Sequence, residues 1–326
     1  MYRLEGLTPY PVMIANAERT VLISSMGWVD RDTLWVYDVP ARKESRVPLG
    51  SGAKYLSLHS SGPSHFAVGH HFDGTRFEIT VHLFSEPKQP VAQGVITEAD
   101  AELSGEPNIW NQVPRLYVDY LRFAPWGDFV LLLISPSTGR IEAQRLEWYD
   151  DSYDKGYQGV VDVLEIPGEG SALVSVQRSS QLVMHDLTTG KKKRSLNLAG
   201  RGGNPSLYFR ASADEIWASD YDTMVAVDKK NWEVTRRARL QQAWTGTQQF
   251  IGDYSFAPHE ETCVVARPFS SDVVGIDPSS LKIKRRAKLG KQPLEVAFLA
   301  SEEVLARDWK TGEVLYGKLE RCWFAG

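Results

Sequence analysis

Val273-Val274-Gly275-Ile276-Asp277-Pro278-Ser279-Ser280-Leu281-Lys282 reads as an apolar run closed by an aspartate, then a polar turn, then the start of a basic stretch. The same order recurs at Val183-Met184-His185-Asp186 before Thr188-Thr189-Gly190-Lys191, and at Ala226-Val227-Asp228 before Lys229-Lys230-Asn231-Trp232. Trp35-Val36-Tyr37-Asp38 and Glu147-Trp148-Tyr149-Asp150 repeat its first half. From Asp150 onward these aspartates stand 36, 42 and 49 residues apart. Each copy spells strand, turn, strand. A recurrence of that length marks a repeat architecture.

A second element precedes it in the repeat. Leu121-Arg122-Phe123-Ala124-Pro125-Trp126-Gly127-Asp128 is echoed by Tyr254-Ser255-Phe256-Ala257-Pro258-His259 and by Val296-Ala297-Phe298-Leu299-Ala300-Ser301, each followed by an aliphatic run. Four short strands per unit result, and no stretch keeps a helical period. Units of this size predict an all-β fold, a seven-bladed β-propeller with four-stranded antiparallel blades. The innermost strands are expected near 11–15, 54–58, 119–123, 160–166, 205–209, 252–256 and 294–298. The last unit lacks a fourth strand. Arg3-Leu4-Glu5-Gly6-Leu7-Thr8-Pro9 resembles Lys288-Leu289-Gly290-Lys291-Gln292-Pro293, so an N-terminal strand at residues 2–7 is expected to close the last blade. The reading is one domain over residues 1–326, with a long insertion at about 97–117. Two β-sandwiches remain the competing architecture, because even strand spacing alone does not exclude them.

Val273 to Lys282, running on through Ala287-Lys288-Leu289-Gly290-Lys291-Gln292-Pro293, resembles the repeat of the YVTN-type seven-bladed propellers. That superfamily includes quinoprotein amine dehydrogenase-like propellers and sugar-lactonase-like members. The resemblance covers residues 180–300 well and 1–150 faintly. It implies a shape and leaves the chemistry open.

Composition narrows the classes. The 326 residues are 42% hydrophobic and 24% charged, which is ordinary globular usage and not that of a disordered or fibrous chain. The longest purely apolar run, Phe129 to Ile134, is far shorter than the ~20 residues of a bilayer-spanning helix. No membrane segment and no secretory signal are read, so a cytoplasmic location is expected. Cys263 and Cys322 are too few for a disulfide framework or a cysteine-rich zinc site. The net charge of −4 offers no global attraction to nucleic acid or membrane.

The loops leaving each blade's second strand, together with those joining successive blades, should share one face around the central channel, the top. Arg178, Arg267 and Arg307 fall at nearly equivalent positions there, and His70 and His71 occupy that place in another blade. Guanidinium forks match carboxylates and phosphates, so three converging arginines would favour an anionic ligand. Asp220 and Tyr221 belong to the same set of loops, as does Trp309. Asp253 and Glu295, each just inside an inner strand, are placed to pair these arginines or to act as a base. Long joining loops add Trp110, Asn111 and Gln112, Tyr153 and Tyr157, and Gln241, Gln242 and Trp244. Long loops in a compact domain are often functional, and aromatics beside amides suit a ring or a peptide side chain. The plainer alternatives are ion pairs between blades and tryptophans that fill the gaps between them.

Other motifs yield less. Adjacent His70 and His71 on a strand point to opposite faces, so a shared metal is not expected. Asp150, Ser152, Asp154 and Gly156 alternate like a calcium loop, but the glycine is one place late and no glutamate closes it. No metal and no cofactor is assigned. The basic runs Lys191 to Arg194, Arg236 to Arg239 and Lys284 to Lys288 fall on outer strands. There they could track a polyanion, or guard an exposed edge against strand addition. Nucleic acid is an unlikely partner on the net charge.

Two functions are carried forward. One is a non-catalytic binding or scaffold propeller whose arginine- and aromatic-rich top face captures an anionic small molecule or a partner protein's acidic segment. The other is a cofactor-free hydrolase or lyase, lactonase-like, in which Asp253, Glu295 or His70 moves a proton while arginines hold a substrate carboxylate.

Overall fold

The computed structural model describes residues 13–16, 19–26, 30–50, 55–61, 64–72, 76–84, 88–97, 130–135, 140–145, 147, 160–166, 168–176, 180–199, 206–240, 242, 250–299, 302–308 and 311–321. They form seven antiparallel sheets and no α-helix, hence no helix long and apolar enough to cross a membrane. The chain divides into two compact units, Met1–Ser195 and Leu196–Gly326.

The first unit opens with β1 (Met13–Ala15), β2 (Val21–Met26), β3 (Asp30–Asp38) and β4 (Lys43–Pro48), paired in chain order. β5 (Tyr55–Ser61), β6 (Ser64–Phe72), β7 (Arg76–Leu83) and β8 (Pro90–Thr97) repeat the pattern. Ile23, Leu34 and Leu49 of the first sheet meet Leu58 and Ala67 of the second in one core. β9 (Val130–Ser135) pairs with β10 (Arg140–Arg145), and β11 (Val160–Ile166), β12 (Ser171–Val176), β13 (Gln181–Asp186) and β14 (Lys192–Asn197) form the next sheet.

The second unit holds β15 (Leu207–Arg210), β16 (Glu215–Asp220), β17 (Thr223–Asp228) and β18 (Glu233–Arg239) in one sheet. A second sheet contains β19 (Tyr254–Phe256), β20 (Cys263–Arg267), β21 (Asp272–Asp277) and β22 (Lys282–Lys288), and a third contains β23 (Pro293–Phe298), β24 (Glu303–Asp308) and β25 (Val314–Lys318). The expected inner strands therefore appear at β1, β5, β11, β15, β19 and β23, while 119–123 lies outside the described residues.

The recurring aspartate has a specific task. Asp38, Asp186, Asp228 and Asp277 each end the third strand of a sheet, and each side chain accepts a backbone N–H two or three residues on. The fourth residue after each is left-handed: Arg42, Gly190, Trp232 and Leu281, at φ 50, 71, 60 and 55°. The carboxylate satisfies the turn's amides while the left-handed residue aims the chain into the outer strand. Asp186 carries the most such bonds, from the amides of Thr189 and Thr188, the Thr189 hydroxyl and the Lys193 ammonium, and its carboxyl sits at about 2.

Apolar runs sit where a strand has neighbours on both faces. In β20, Cys263 and Val265 join the core with Trp217, Phe256 and Ile276, whereas Val264 and Ala266 join the core with Val296, Phe298 and Val304. Successive side chains alternate faces, so only a continuous apolar run can serve two cores. Each such buried aliphatic stabilises by roughly 1.5–3 kcal/mol. Phe256 anchors the first core, stacked on Tyr208 at 4.4 Å and edge-on to Trp217 at 4.9 Å.

The outer strands depart from simple alternation. Thr235 in β18 and Lys284 in β22 are extra residues with nothing opposite them, because Arg236 faces Ala226 while Val234 faces Val227, and Arg285 faces Gly275 while Ile283 faces Ile276. A one-residue bulge at equivalent places in both sheets shifts the register, so that in β22 Ile283 packs on the core of Ile276 while Ala287 packs on that of Val273.

The sheet of β23, β24 and β25 has three strands among the described residues, and residues 2–7, expected as its fourth, lie outside them. The chain instead continues from β25 through buried Leu319 into β26 (Glu320–Arg321), which pairs antiparallel with β22. This corrects the expected open edge on that sheet: the backbone at Arg285 and Arg286 is covered by a fifth strand.

Candidate functional site

Of the expected top-face residues that the structure describes, all but His70 and His71 belong to the second unit. Arg267 closes β20, a 3-10 turn over Pro268–Ser270 follows, Ser271 is left-handed at φ 55°, and Asp272 opens β21. The turn reverses the chain so that Arg267 and Asp272 are direct cross-strand partners. Their side chains close as a fork, with Nε donating to Oδ1 at 2.9 Å and Nη2 to Oδ2 at 2.7 Å. Both are buried, and Arg286 of β22 adds a second guanidinium to the same carboxylate. A bidentate pair of this kind is rigid as well as strong.

Glu295 and Arg307 repeat the logic in the next sheet, again as cross-strand partners, but with a contact of 3.5 Å. These two pairs each lie within a single sheet, whereas Arg285 of β22 reaches Glu302 beside the next sheet. Asp253 comes close to this group through the backbone. Its amide donates to the Leu294 carbonyl at 2.7 Å, and its own carboxylate accepts from the Tyr254 amide at 2.8 Å. Gly252 makes that approach feasible: a Cβ there would lie 2.2 Å from the Leu294 carbonyl oxygen.

Asp220 is buried at the end of β16, and Tyr221 turns the chain at φ 52° while its carbonyl accepts from the Ile251 amide at 2.8 Å. The next residue, Asp222, is equally buried and is bound by Nε of Arg239 at 2.6 Å. Gln242, read as an amide for a ligand, spends both ends on the framework. It donates to the Phe250 carbonyl at 2.6 Å and accepts from the Phe269 amide at 2.9 Å, while Phe250 and Phe269 meet edge-to-face. His70 and His71 are successive positions of β6 in the first unit, with Tyr55 opposite His70 and Glu78 opposite His71. Arg178, Trp110, Trp244 and Trp309 lie outside the described residues.

Three carboxylates missed in the sequence reading organise this unit. Glu215 binds Arg210 at 3.2 Å and Arg236 at 2.5 Å. Glu260, at φ 57° in the turn after β19, accepts from the amides of Ser212 and Ala211 and from the Tyr208 hydroxyl, latching one sheet's turn to the next. Burial pushes its carboxyl up, but these donors outweigh burial and hold it below the usual range. Asp308 accepts from the amides of Lys291, Gln292 and Thr311 at 2.8, 2.7 and 3.1 Å, fastening the connector before β23 to the turn after β24. A signal for Asp308 stood in the sequence, since Gly312 at φ 69° follows it by the same four residues as in the other aspartate turns. Cys263 is wholly buried; burial, with the Asp253 charge, pushes its thiol well up, which makes it an inert core residue.

Comparison with known proteins bears on the fold. No family model matches the sequence, and no curated protein matches it. The chain superposes on the Cps50 (Swd1) β-propeller domain of Myceliophteria thermophila with a TM-score of 0.68 at 11% identity, covering 95% of this chain and 96% of that one. A chain of the mitotic checkpoint complex gives 0.66 at 8% identity over 98% and 88%, and one of Kuenenia stuttgartiensis hydrazine synthase gives 0.65 at 12% over 94% of each. At such identities the likeness is one of architecture, and it establishes the chain as a β-propeller.

Proposed function

We propose that this chain is a non-catalytic binding or scaffold propeller of seven blades, its top face taking an anionic small molecule or an acidic segment of a partner protein. The observation that carries the reading is the contrast between two arginines at equivalent strand ends. Arg267 is locked in a two-point fork on a buried aspartate, the geometry of a framework pair. Arg307 stands 3.5 Å from Glu295, longer than the ~2.7–2.9 Å of a charge-assisted hydrogen bond. The Arg307–Glu295 pair is thus the looser of the two contacts, and it is there that we infer a ligand carboxylate is taken up. Asp253 and Glu295, the groups that a hydrolase would need as a base, lie against a backbone amide and that arginine respectively.

The test is calorimetric titration with citrate, a multivalent carboxylate probe, against the parent protein and Arg307→Gln. The reading expects saturable binding to the parent, weakened about tenfold or more in the variant, which corresponds to about 1.4 kcal/mol. Equal affinity of both proteins, or no binding by the parent, would overturn it.

A further inference from the structure

The fourth strands of the sheets are guarded unequally. β4 and β14 each carry three charged residues, β18 carries four and β22 five. β8, Pro90-Val91-Ala92-Gln93-Gly94-Val95-Ile96-Thr97, carries none. Charge on an outer strand keeps another chain from adding to the sheet, and β8 lacks that protection. Among the described residues it pairs with β7 alone. Pro90 denies a backbone donor only at its first position, and from Ala92 to Thr97 the register on β7 runs without a shift. Val95, inside that regular run, is 48% exposed, the most of any large apolar side chain among the described residues.

The absence of charge also bears on the visitor. No side chain of β8 selects a partner of either sign, and the adjoining ion pair on β7, Arg76 with Glu78 at 3.1 Å, sums to zero. The cation-rich β14, β18 and β22 set against their own copies would oppose like charges, whereas β8 meets its own copy with none. A foreign protein would have to bring a second unguarded strand; another copy of this chain supplies one of equal length. A two-fold axis normal to the sheet makes the joined strands antiparallel and keeps opposed residues on one face. Centred on Gly94, it sets Val95 of each copy against Gln93 of the other. Each edge is used once, so growth stops at two.

We propose that β8 is a self-association edge through which two copies of this chain join antiparallel, their β5–β8 sheets continuing into one. This surface is independent of the Arg307 site.

Sedimentation velocity on the full chain tests it. The parent should show one concentration-dependent step from monomer to dimer. The combined Gln93→Lys and Val95→Lys protein opposes lysines across the axis and should dimerise about tenfold or more weakly. The combined Gln93→Glu and Val95→Glu protein should lose the dimer likewise, and an equimolar mixture of the two variants should recover it. Gln93 and Val95 are exposed, so both variants should keep the parent's circular dichroism; Gln93→Lys alone, with a smaller loss, takes their place if either misfolds. The proposal is overturned if the parent stays monomeric at every concentration, which would leave the edge to a foreign strand, or if assembly runs past two. It is equally overturned if the lysine variant dimerises as the parent does, or if the mixture of folded variants stays monomeric.

Discussion

Arg307 faces Glu295 directly across β24 and β23, yet its guanidinium stops 3.5 Å from the carboxylate. Arg267 and Asp272, cross-strand partners on β20 and the strand that follows it, close to a two-point fork at 2.9 and 2.7 Å. The first pair is the looser contact; the second is a two-point fork.

Asp272 should accordingly be a stability residue. Asp272→Asn leaves the buried Arg267 charge without its counter-ion, which costs about 3–5 kcal/mol. Arg286→Ala removes only the half-exposed member of the triad and should cost about 1 kcal/mol or less. Urea unfolding of the two variants measures the difference. Similar losses in both would mean that the fork is not what holds this end together.

Gly252 should tolerate no side chain. The Cβ of Gly252→Ala would meet main-chain atoms of Leu294, which cannot rotate away as a side chain can, so the inner strands β19 and β23 would be pushed apart. A loss of about 1–3 kcal/mol is expected in thermal unfolding. Gly168→Ala, with open space around its Cβ but φ 77°, serves as the strain-only comparison and should lose less.

Acid should weaken the fold in two stages. Burial holds the His185 imidazole below its ordinary range while its ring nitrogen Nε2 sits 3.1 Å from the Glu147 carbonyl. The unfolded chain therefore takes up this proton more readily, and stability should fall as the pH drops through the usual imidazole range, roughly 7 to 5. His185→Gln should flatten that part of the curve. Glu260 and Asp186 have depressed carboxyls, so their contributions are present above the ordinary carboxylate range and are lost at lower pH. Stability curves at successive pH values resolve the stages; a parent curve flat between pH 7 and 5 would exclude the histidine's part.

Much of this architecture was readable because repeats write the same physics several times. The aspartate that ends a third strand is visible at Asp186, Asp228 and Asp277 since each must feed the same turn amides. The apolar runs of the middle strands follow from burial on both faces, as Val264 and Val265 serve different cores. The candidate site was only half legible. The identities and approximate places of Arg267, Arg307 and Glu295 could be read, but how closely each arginine approaches its carboxylate depends on register and on a few tenths of an ångström, which no spacing encodes. β26 left no trace, because a two-residue strand has no periodicity and owes its existence to its pairing with β22. Glu260 was invisible for a similar reason: its partners Ala211 and Ser212 lie almost fifty residues away.

The most direct measurement follows the arginine Nε–H resonances during a citrate titration, with Arg307→Gln and Arg267→Lys used for assignment. The account predicts that the Arg307 signal moves and saturates with citrate while the Arg267 signal, held on Asp272, stays in place. A stationary Arg307 signal, or a shift confined to Arg267, would contradict it.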